Sequence, residues 1–226
     1  MELTIIAKNL AVVRDKIARA AERSGRNPQD ITLVVVTKTV DVSRIREAIA
    51  AGATDIGENY VQEVAAKWPE IGDAVKWHFI GHLQRNKAKD AVRVVSVIQS
   101  VDSVELAQEI GRRAAGAEKT VDVLIEVKVS QEATKFGTLP EDAIHLAEEV
   151  SLIHGIRVQG LMGMAPFAAD PEDARPYFER LQKLWEKLPI EQRRWLSMGM
   201  SHDFEVAIEE GSNMVRVGSA IFGARA

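Results

Sequence analysis

The chain has 226 residues, of which 46% are hydrophobic and 27% are charged, a composition typical of one globular domain over residues 1–226. Its net charge of −4 gives no general attraction for nucleic acid or for a membrane surface, and the absence of cysteine excludes disulfides and thiolate chemistry. No apolar run reaches the roughly 20 residues of a membrane-spanning helix, and the first residues lack a signal-peptide pattern, so we expect a soluble, cytoplasmic protein.

The periodicity of apolar residues predicts helices that alternate with strands along the whole chain. The first segment, 3–24, repeats apolar positions at helical spacing and stops at Ser24-Gly25. Beyond it, β-branched or alternating apolar runs predict eight strands, at 31–38, 54–56, 76–80, 94–98, 121–127, 156–161, 195–198 and 213–217. Segments with a helical pattern lie between them, at 42–51, 60–68, 84–91, 103–115, from Pro140 onward, 171–188 and 202–210. Asn59 and Gln62 are spaced like a capping box at the start of the segment 60–68.

This alternation favours an α/β fold in which the strands close into a (β/α)8 barrel. An open doubly wound sheet is the alternative, but the glycine-rich turn typical of that fold is absent after the first strand. The pattern leaves no room for a helix after the eighth strand. We therefore expect the first helix, 3–24, to cover the gap that the missing last helix would leave.

In barrels of this kind the functional site lies at the carboxyl ends of the strands. The residues predicted at those ends include Lys38, Glu58, Asn59, His82, Lys135, Met162, Met164, Ser201, Arg216, Gly218 and Ser219. Lys38 closes a strand that is apolar on both faces, so its amine should point to the end of the barrel, where it could attack an aldehyde. Alternatively, Lys38 only marks the water edge of the strand. Glu58 and Asn59 fit ligand contacts and helix caps equally well.

Two loops that contain glycine and serine, 197–201 and 218–219, follow the seventh and eighth strands. This fold commonly binds phosphate there through free backbone amides. Alternatively, they are ordinary turns in which Ser201 only caps a helix. Arg216 shares a strand face with Met214, and we expect its guanidinium to line the barrel mouth unless it forms a buried ion pair.

Two weaker patterns favour structural roles. His78 and His82 are four residues apart but straddle a strand end, and without cysteine we do not expect a metal site. The basic run within 85–93 lacks interleaved aromatic residues, so it fits a solvated helix face better than a nucleic-acid site. The methionines near the strand ends fit packing roles.

Six sequence blocks occur in order across the chain: V-V-V-T-K-T, G-E-N-Y-V-Q-E, W-H-F-I-G-H-L-Q-R-N-K, G-L-M-G-M-A, S-M-G-M-S-H-D and V-R-V-G-S-A-I-F-G. With these blocks the sequence resembles the pyridoxal phosphate homeostasis protein family, from about Leu10 to Gly223. The resemblance implies a barrel like the N-terminal domain of alanine racemases, without a C-terminal β-domain. It also implies that pyridoxal 5′-phosphate (PLP) is the cofactor.

Carried over by position, the cofactor-binding residues that the resemblance implies are Lys38, Asn59, Ser201, Arg216, Gly218 and Ser219. Lys38 would hold PLP as a Schiff base, and the serines and glycine of the last two loops would hold its phosphate. Arg216 would face the pyridine nitrogen, and Asn59 would be a further pocket residue. Lys135 matches a pocket position more loosely. The resemblance implies no catalytic residue and no metal ligand.

The implied arginine weighs against catalysis. A guanidinium cannot accept a hydrogen bond, so Arg216 favours an unprotonated pyridine nitrogen, which makes PLP a weaker electron sink. Racemases of this fold take a second base, a tyrosine, from an additional β-domain, whereas this sequence offers only Tyr60 and Tyr177. Val42 also stands where those racemases have a tyrosine that contacts the phosphate. The resemblance therefore implies a PLP-binding protein without efficient catalysis.

Three functions remain open at this point. The first is a carrier or buffer of PLP in vitamin B6 homeostasis, expected to be a monomer that supplies PLP-dependent apo-enzymes and binds neither nucleic acid nor membrane. The second is a PLP-dependent racemase-type enzyme whose second base comes from His82 or from a partner subunit. The third is a cofactor-free Schiff-base aldolase acting on a phosphorylated sugar, which rests on fold analogy alone.

Overall fold

Eight parallel strands form a closed barrel in the residues that the computed structural model describes, 3–130 and 136–223. Each strand pairs with the next along the chain, and the last pairs with the first. The strands are β1 (Thr32–Val36), β2 (Asp55–Glu58), β3 (Lys76–Phe79), β4 (Val97–Val101), β5 (Val121–Val127), β6 (Ile156–Gly163), β7 (Trp195–Ser197) and β8 (Met214–Val217). The predicted barrel is confirmed, and the open sheet is excluded.

Helices cover the outside of the barrel: one precedes the first strand, one follows the last, and the others lie between successive strands. They are α1 (Ile5–Arg23), α2 (Val42–Ala50), α3 (Val61–Ile71), α4 (Ala88–Val94), α5 (Val104–Ala115), α6 (Ala143–Ser151), α7 (Arg175–Trp185), α8 (Phe204–Glu209) and α9 (Ser219–Phe222). The first helix packs against α2, α8 and α9 through buried residues that include Ile6 and Leu10, so it covers the gap as predicted. The expectation that no helix follows the last strand was wrong, because α9 forms a short turn of helix there.

Alternate residues of each strand face two different apolar layers. Val35 on β1 packs in the large cluster between the strands and the helices, whereas Val34 packs in a small cluster inside the barrel. The inner cluster consists of Val34, Val97, Leu124, Met162, Trp195 and Met214. Burying each large apolar side chain contributes about 1.5–3 kcal/mol. The strands are therefore covered on both faces, as an all-parallel sheet requires.

A backbone irregularity between β5 and β6 requires glycine at position 160. The strand register shifts between Val123 and Leu124, opposite Gly160, whose φ is +145°. A Cβ atom on Gly160 would lie 1.7 Å from the carbonyl oxygen of Trp195, which no side chain could tolerate. Only glycine lets β7 approach β6 this closely, where Gly160 pairs with Trp195.

The fourth strand lies further along the chain than predicted. It spans Val97–Val101 rather than 94–98. Val94 ends α4, and Val95 is buried in the outer apolar layer. A buried helix end and a buried strand both present apolar residues, so composition alone could not separate them.

Two predicted helix starts were also wrong. Tyr60, not Asn59, is the residue before α3, and no side chain caps that helix. Pro140 does not open α6, which begins at Ala143. Both errors came from residue types that suit a helix start but are used in the preceding turn. Within the two described ranges, no helix combines the length and the apolar character needed to cross a membrane.

Candidate functional site

Lys38 stands just beyond the carboxyl end of β1. The strand ladder continues to Thr37, whose backbone N–H donates to the carbonyl oxygen of Gly57 at 2.9 Å. The side chain of Thr37 is buried on the outer face. Because neighbouring residues alternate between the two faces, Lys38 shares the register of Val34 and lies half-buried at the barrel mouth.

The backbone on both sides of Lys38 is tied to α3. The carbonyl oxygen of Thr37 accepts a hydrogen bond from Nζ of Lys67 at 2.8 Å, and the backbone N–H of Thr39 donates to Oε2 of Glu63 at 2.7 Å. Thr39 has a φ of +60°, a left-handed conformation that a residue other than glycine keeps only where its surroundings hold it. The turn that carries Lys38 is therefore held in one conformation.

A buried charge cluster behind that turn supplies these contacts. Nζ of Lys67 also donates to Oε1 of Glu58 at 2.8 Å and to Oε2 of Glu63 at 2.5 Å. Glu58 is fully buried, and its Oε2 has no hydrogen-bond partner. Burial raises the pKa of Glu58, while hydrogen bonds from Lys67 and Thr37 oppose that rise. Glu58 is thus neither a helix cap nor a mouth residue but part of the support for Lys38.

The two predicted phosphate loops come together through Ser201. Its Oγ accepts the backbone N–H groups of Gly218 at 3.2 Å and of Ala220 at 3.3 Å. A Cβ atom at position 218 would lie 3.2 Å from Val36, so glycine lets this loop approach the end of β1. Ser219 is exposed beside it. The interpretation of Ser201 as the cap of α8 was wrong, because Asp203 holds that position.

Arg216 points into the barrel from β8. It is 4% exposed, and its two terminal nitrogens donate to Oγ of Ser197 at 2.6 Å and to the carbonyl oxygen of Gly163 at 3.0 Å. Burial lowers the pKa of Arg216 to about 10, so it stays charged at neutral pH. Among the described residues its hydrogen bonds thus go to a hydroxyl and a carbonyl rather than to a carboxylate.

A continuous chain of hydrogen bonds leads from Arg216 across the barrel interior. The hydroxyl of Ser197 donates to Oε1 of Gln99 at 2.6 Å. Nε2 of Gln99 lies 3.0 Å from Nδ1 of His78, and Nε2 of His78 lies 2.9 Å from Oδ1 of Asp55. Burial lowers the pKa of His78, so its neutral ring accepts from Gln99 at Nδ1 and donates to Asp55 at Nε2. Each donor meets an acceptor, and the orientation of the guanidinium is fixed.

Two polar atoms at the inner wall of the mouth are buried without a partner. One is Oδ1 of Asn59, and the other is Oε2 of Glu126 on β5. Burial raises the pKa of Glu126 to about 7, the nearby charge of Asp102 adds to that rise, and Arg216 opposes it. Unpartnered buried polar atoms are uncommon in native structures, and a water, an ion or a ligand could each supply the missing partner.

Replacing Glu126 by glutamine should make stability less dependent on pH. The folded-state pKa of about 7 exceeds the ordinary 4.5, so the folded chain binds this proton more tightly than the unfolded chain. The free energy of unfolding should therefore fall as the pH rises through this range, by about 3 kcal/mol from this group alone. Urea unfolding across the range would show this fall in the wild type and not in Glu126→Gln. Parallel curves for the two proteins would contradict the prediction.

His82 and the methionines lie near the mouth in different roles. His82 stacks on Phe136 with ring centroids 3.7 Å apart, and its Nδ1 is 3.9 Å from Oδ2 of Asp102. Met162 packs inside the barrel with Met164 against it, and Met198 packs in the outer apolar layer, as predicted. The packing role expected for Met200 was wrong, because its side chain is exposed. Lys135 lies outside the described residues. Within those residues no group of His, Cys, Asp and Glu could hold a metal ion.

The sequence analysis missed Asp55, Gln99, Glu126 and Lys67, and it expected Ser197 in a phosphate loop rather than as a hydrogen-bond partner of Arg216. Asp55, Gln99, Glu126 and Ser197 come from four different strands, and no local pattern marks them as one group. Only the closed barrel brings them to one interior. The spacing of Glu63 and Lys67 on α3 was a usable signal, since residues four apart on a helix are neighbours.

Comparison with known proteins places the chain in a family. Residues 8–226 match the model of the alanine racemase N-terminal domain. The pyridoxal phosphate homeostasis protein of Aquifex aeolicus is 44% identical over 96% of this chain and 97% of its own length. The protein of the same name from Pseudomonas aeruginosa is 40% identical over 99% of this chain and 97% of its own.

A solved structure of a related protein agrees with the fold. PipY of Synechococcus elongatus, solved with PLP bound, superposes with a TM-score of 0.82 at 32% identity, covering 96% of this chain and all (100%) of that one. The matched family model and the full-length relatives agree with the sequence blocks described above. The chain belongs to the alanine racemase N-terminal domain family and, within it, to the pyridoxal phosphate homeostasis proteins.

Proposed function

We propose that this protein binds PLP at the barrel mouth, as a Schiff base on Lys38, and acts as a carrier or buffer in PLP homeostasis without efficient catalysis of its own. The observation that carries the proposal is that β1 and β8 are adjacent in the barrel, so that Lys38 beyond β1 and the loop at 218–219 beyond β8 follow neighbouring strand ends. Ser201 joins its own loop to that one, and Arg216 of β8 is held inside the barrel.

The residues at the mouth fit the chemistry of PLP. A phosphate needs several N–H or O–H donors, and the loops at Ser201, Gly218 and Ser219 would supply them. Oδ1 of Asn59, which has no partner, would meet a donor or an ordered water beside the ring. Lys38 would bond to the aldehyde carbon from a turn whose backbone is held on both sides.

The surroundings of Arg216 favour storage of PLP over its use in catalysis. PLP, when bound, supplies an electron sink for carbanion chemistry. Arg216 has no acceptor atom, and its orientation is held by Ser197 and Gly163, so it favours an unprotonated ring nitrogen and a weak sink. Of the two tyrosines, Tyr177 packs against the outer apolar layer, and Tyr60 is exposed at the start of α3. Neither arrangement supports a second catalytic base.

The experiment is to add PLP to the purified protein, reduce with borohydride, and map the modified peptide by mass spectrometry. We expect a visible absorption band that borohydride removes and a covalent adduct on the peptide that contains Lys38. The loaded protein should also reactivate a PLP-dependent apo-enzyme. The absence of any adduct would overturn the proposal and leave the cofactor-free aldolase to be pursued. Racemisation of a common amino acid near the typical enzymatic rate of about 10 per second would overturn the non-catalytic role.

A racemase-type enzyme is the second candidate, and the position of His82 favours it. His82 is held beside Asp102 and Phe136 near the mouth, where an imidazole could move a proton. In that case His82→Gln should abolish racemisation while the protein keeps its PLP. Equal, negligible racemisation by both proteins would remove this candidate.

A further inference from the structure

The carboxyl group of Glu126 faces the interior of the barrel. Leu124, two residues earlier on β5, belongs to the inner apolar cluster, and Glu126 shares its face by alternation. The partner of Glu126 across the strand pair is Met162, another inner residue. Glu126 is 4% exposed, and one of its oxygens has no hydrogen-bond partner. Glu126 therefore lines the interior of the barrel near the mouth, and the function proposed above gives it no role.

The charges around Glu126 come from several strands. Asp102, just after β4, repels its ionised form, and Arg216 on β8 attracts it. The neighbouring strand β6 contributes Met162 and Gly163, which carry no charge. Lys38 after β1 and His82 after β3 are further titratable groups at the mouth. The attraction of Arg216 is limited because its terminal nitrogens already donate to Ser197 and Gly163.

A bound PLP would change the demands on this carboxyl. Glu126 is 4% exposed, and burial already raises its pKa. A bound PLP would exclude the remaining water and bring its own negative phosphate, and both changes further disfavour a buried anion. The neutral carboxylic acid, by contrast, can donate a hydrogen bond from the oxygen that now lacks a partner.

We propose that Glu126 takes up a proton from solvent when PLP enters the mouth and returns it when PLP leaves, so that the protein retains PLP less tightly as the pH rises. The proposal rests on the proposed function, because it assumes that PLP occupies this mouth. It adds a mechanism for release to the role of a carrier. Linkage to one titrating group can raise the dissociation constant of PLP by at most tenfold for each pH unit above the pKa that this group has without PLP.

The test is calorimetric titration of the full-length protein with PLP, near pH 7.5, in buffers of different ionisation enthalpy. The wild type should take up about one proton more per PLP than Glu126→Gln, which has the same shape but cannot ionise. The dissociation constant of the wild type should rise about tenfold more than that of the variant between about pH 6 and 8. Asp122→Asn is the matched control, because Asp122 lies on the same strand and face, at its opposite end, and pairs with Arg157.

The outcomes separate this proposal from the proposed function. If borohydride traps an adduct but the wild type and Glu126→Gln take up equal numbers of protons, the role of Glu126 is wrong and PLP binding stands. If no adduct forms in the wild type, the proposed function itself fails. Should Glu126→Gln not fold, infrared difference spectra of the wild type decide the matter. PLP loading should then produce the carbonyl band of a protonated carboxylic acid, and its absence would overturn the proposal.

Discussion

Replacing Lys38 by alanine should abolish the borohydride-trapped PLP adduct and weaken PLP binding at least tenfold. The variant loses the only bond that we expect to be covalent, while the two loops proposed to hold the phosphate, which Ser201 joins, are unchanged. A tenfold loss corresponds to about 1.4 kcal/mol. Absorption titration and mass mapping would measure the two effects. The turn itself should stay folded, because its anchors are backbone atoms of Thr37 and Thr39.

Thermal unfolding gives an independent reading of the same change. A ligand at one hundred times its dissociation constant stabilises the folded state by about 2.7 kcal/mol, and at ten times by about 1.4. PLP should therefore raise the melting temperature of Lys38→Ala about half as much as that of the wild type. Lys16→Ala is the control, since Lys16 lies exposed on α1 and contacts only Glu205 among the ion pairs of the described chain. An adduct of undiminished yield in Lys38→Ala would show that another lysine is the attachment point.

The closed barrel was predictable because its signal is spread over the whole chain. Each strand is a short apolar run, and a run such as 31–38 needs cover on both faces whatever its neighbours are. The first and last residues of each strand and helix were less predictable, because they depend on the contacts of single residues. The three-residue shift of β4 arose because the end of α4 is as buried as the strand that follows it.

A site residue was predictable from the sequence only where its place at the end of a strand is enough to locate it. The residues of this kind are Lys38, Ser201, Arg216 and Gly218, because the carboxyl ends of the parallel strands of a barrel meet at one mouth. Glu126 was missed because β5 has the alternating pattern of a strand with one wet face. In the structure its polar residues face the barrel interior, and Val123 and Ile125 face the helices. A polar strand face meets solvent in an open sheet but the interior in a closed barrel. The local sequence pattern is the same in both cases, so it cannot predict which one occurs.

Replacing Lys67 by methionine should lower the free energy of unfolding by about 4 kcal/mol at neutral pH. Lys67 neutralises the fully buried Glu58. Its removal leaves that carboxylate with one hydrogen-bond partner among the described residues, the hydroxyl of Thr37. Methionine fills a similar volume, so the loss comes from the uncompensated charge rather than from a cavity. Urea unfolding monitored by circular dichroism would measure it.

The effect should depend on pH in a direction that identifies its cause. Burial already raises the pKa of Glu58, and without Lys67 that pKa should rise further. In Lys67→Met the folded state is stable at acid pH, where Glu58 is neutral. It loses stability as the pH rises through the raised pKa, because Glu58 then becomes a buried charge without Lys67. The difference between Lys67→Met and the wild type should therefore shrink as the pH falls. A difference that stays constant with pH would point to packing instead of charge.

A matched control separates burial from pairing. Lys183 and Glu179 form the same four-residue pair on α7, but both side chains are more than half exposed, at 64% and 52%. Lys183→Met should change stability by less than about 0.5 kcal/mol. Because Lys67 also holds the carbonyl of Thr37, Lys67→Met should form the PLP adduct on Lys38 more slowly, whereas Lys183→Met should form it at the wild-type rate. Equal rates in all three proteins would mean that the buried cluster stabilises the fold without positioning the lysine.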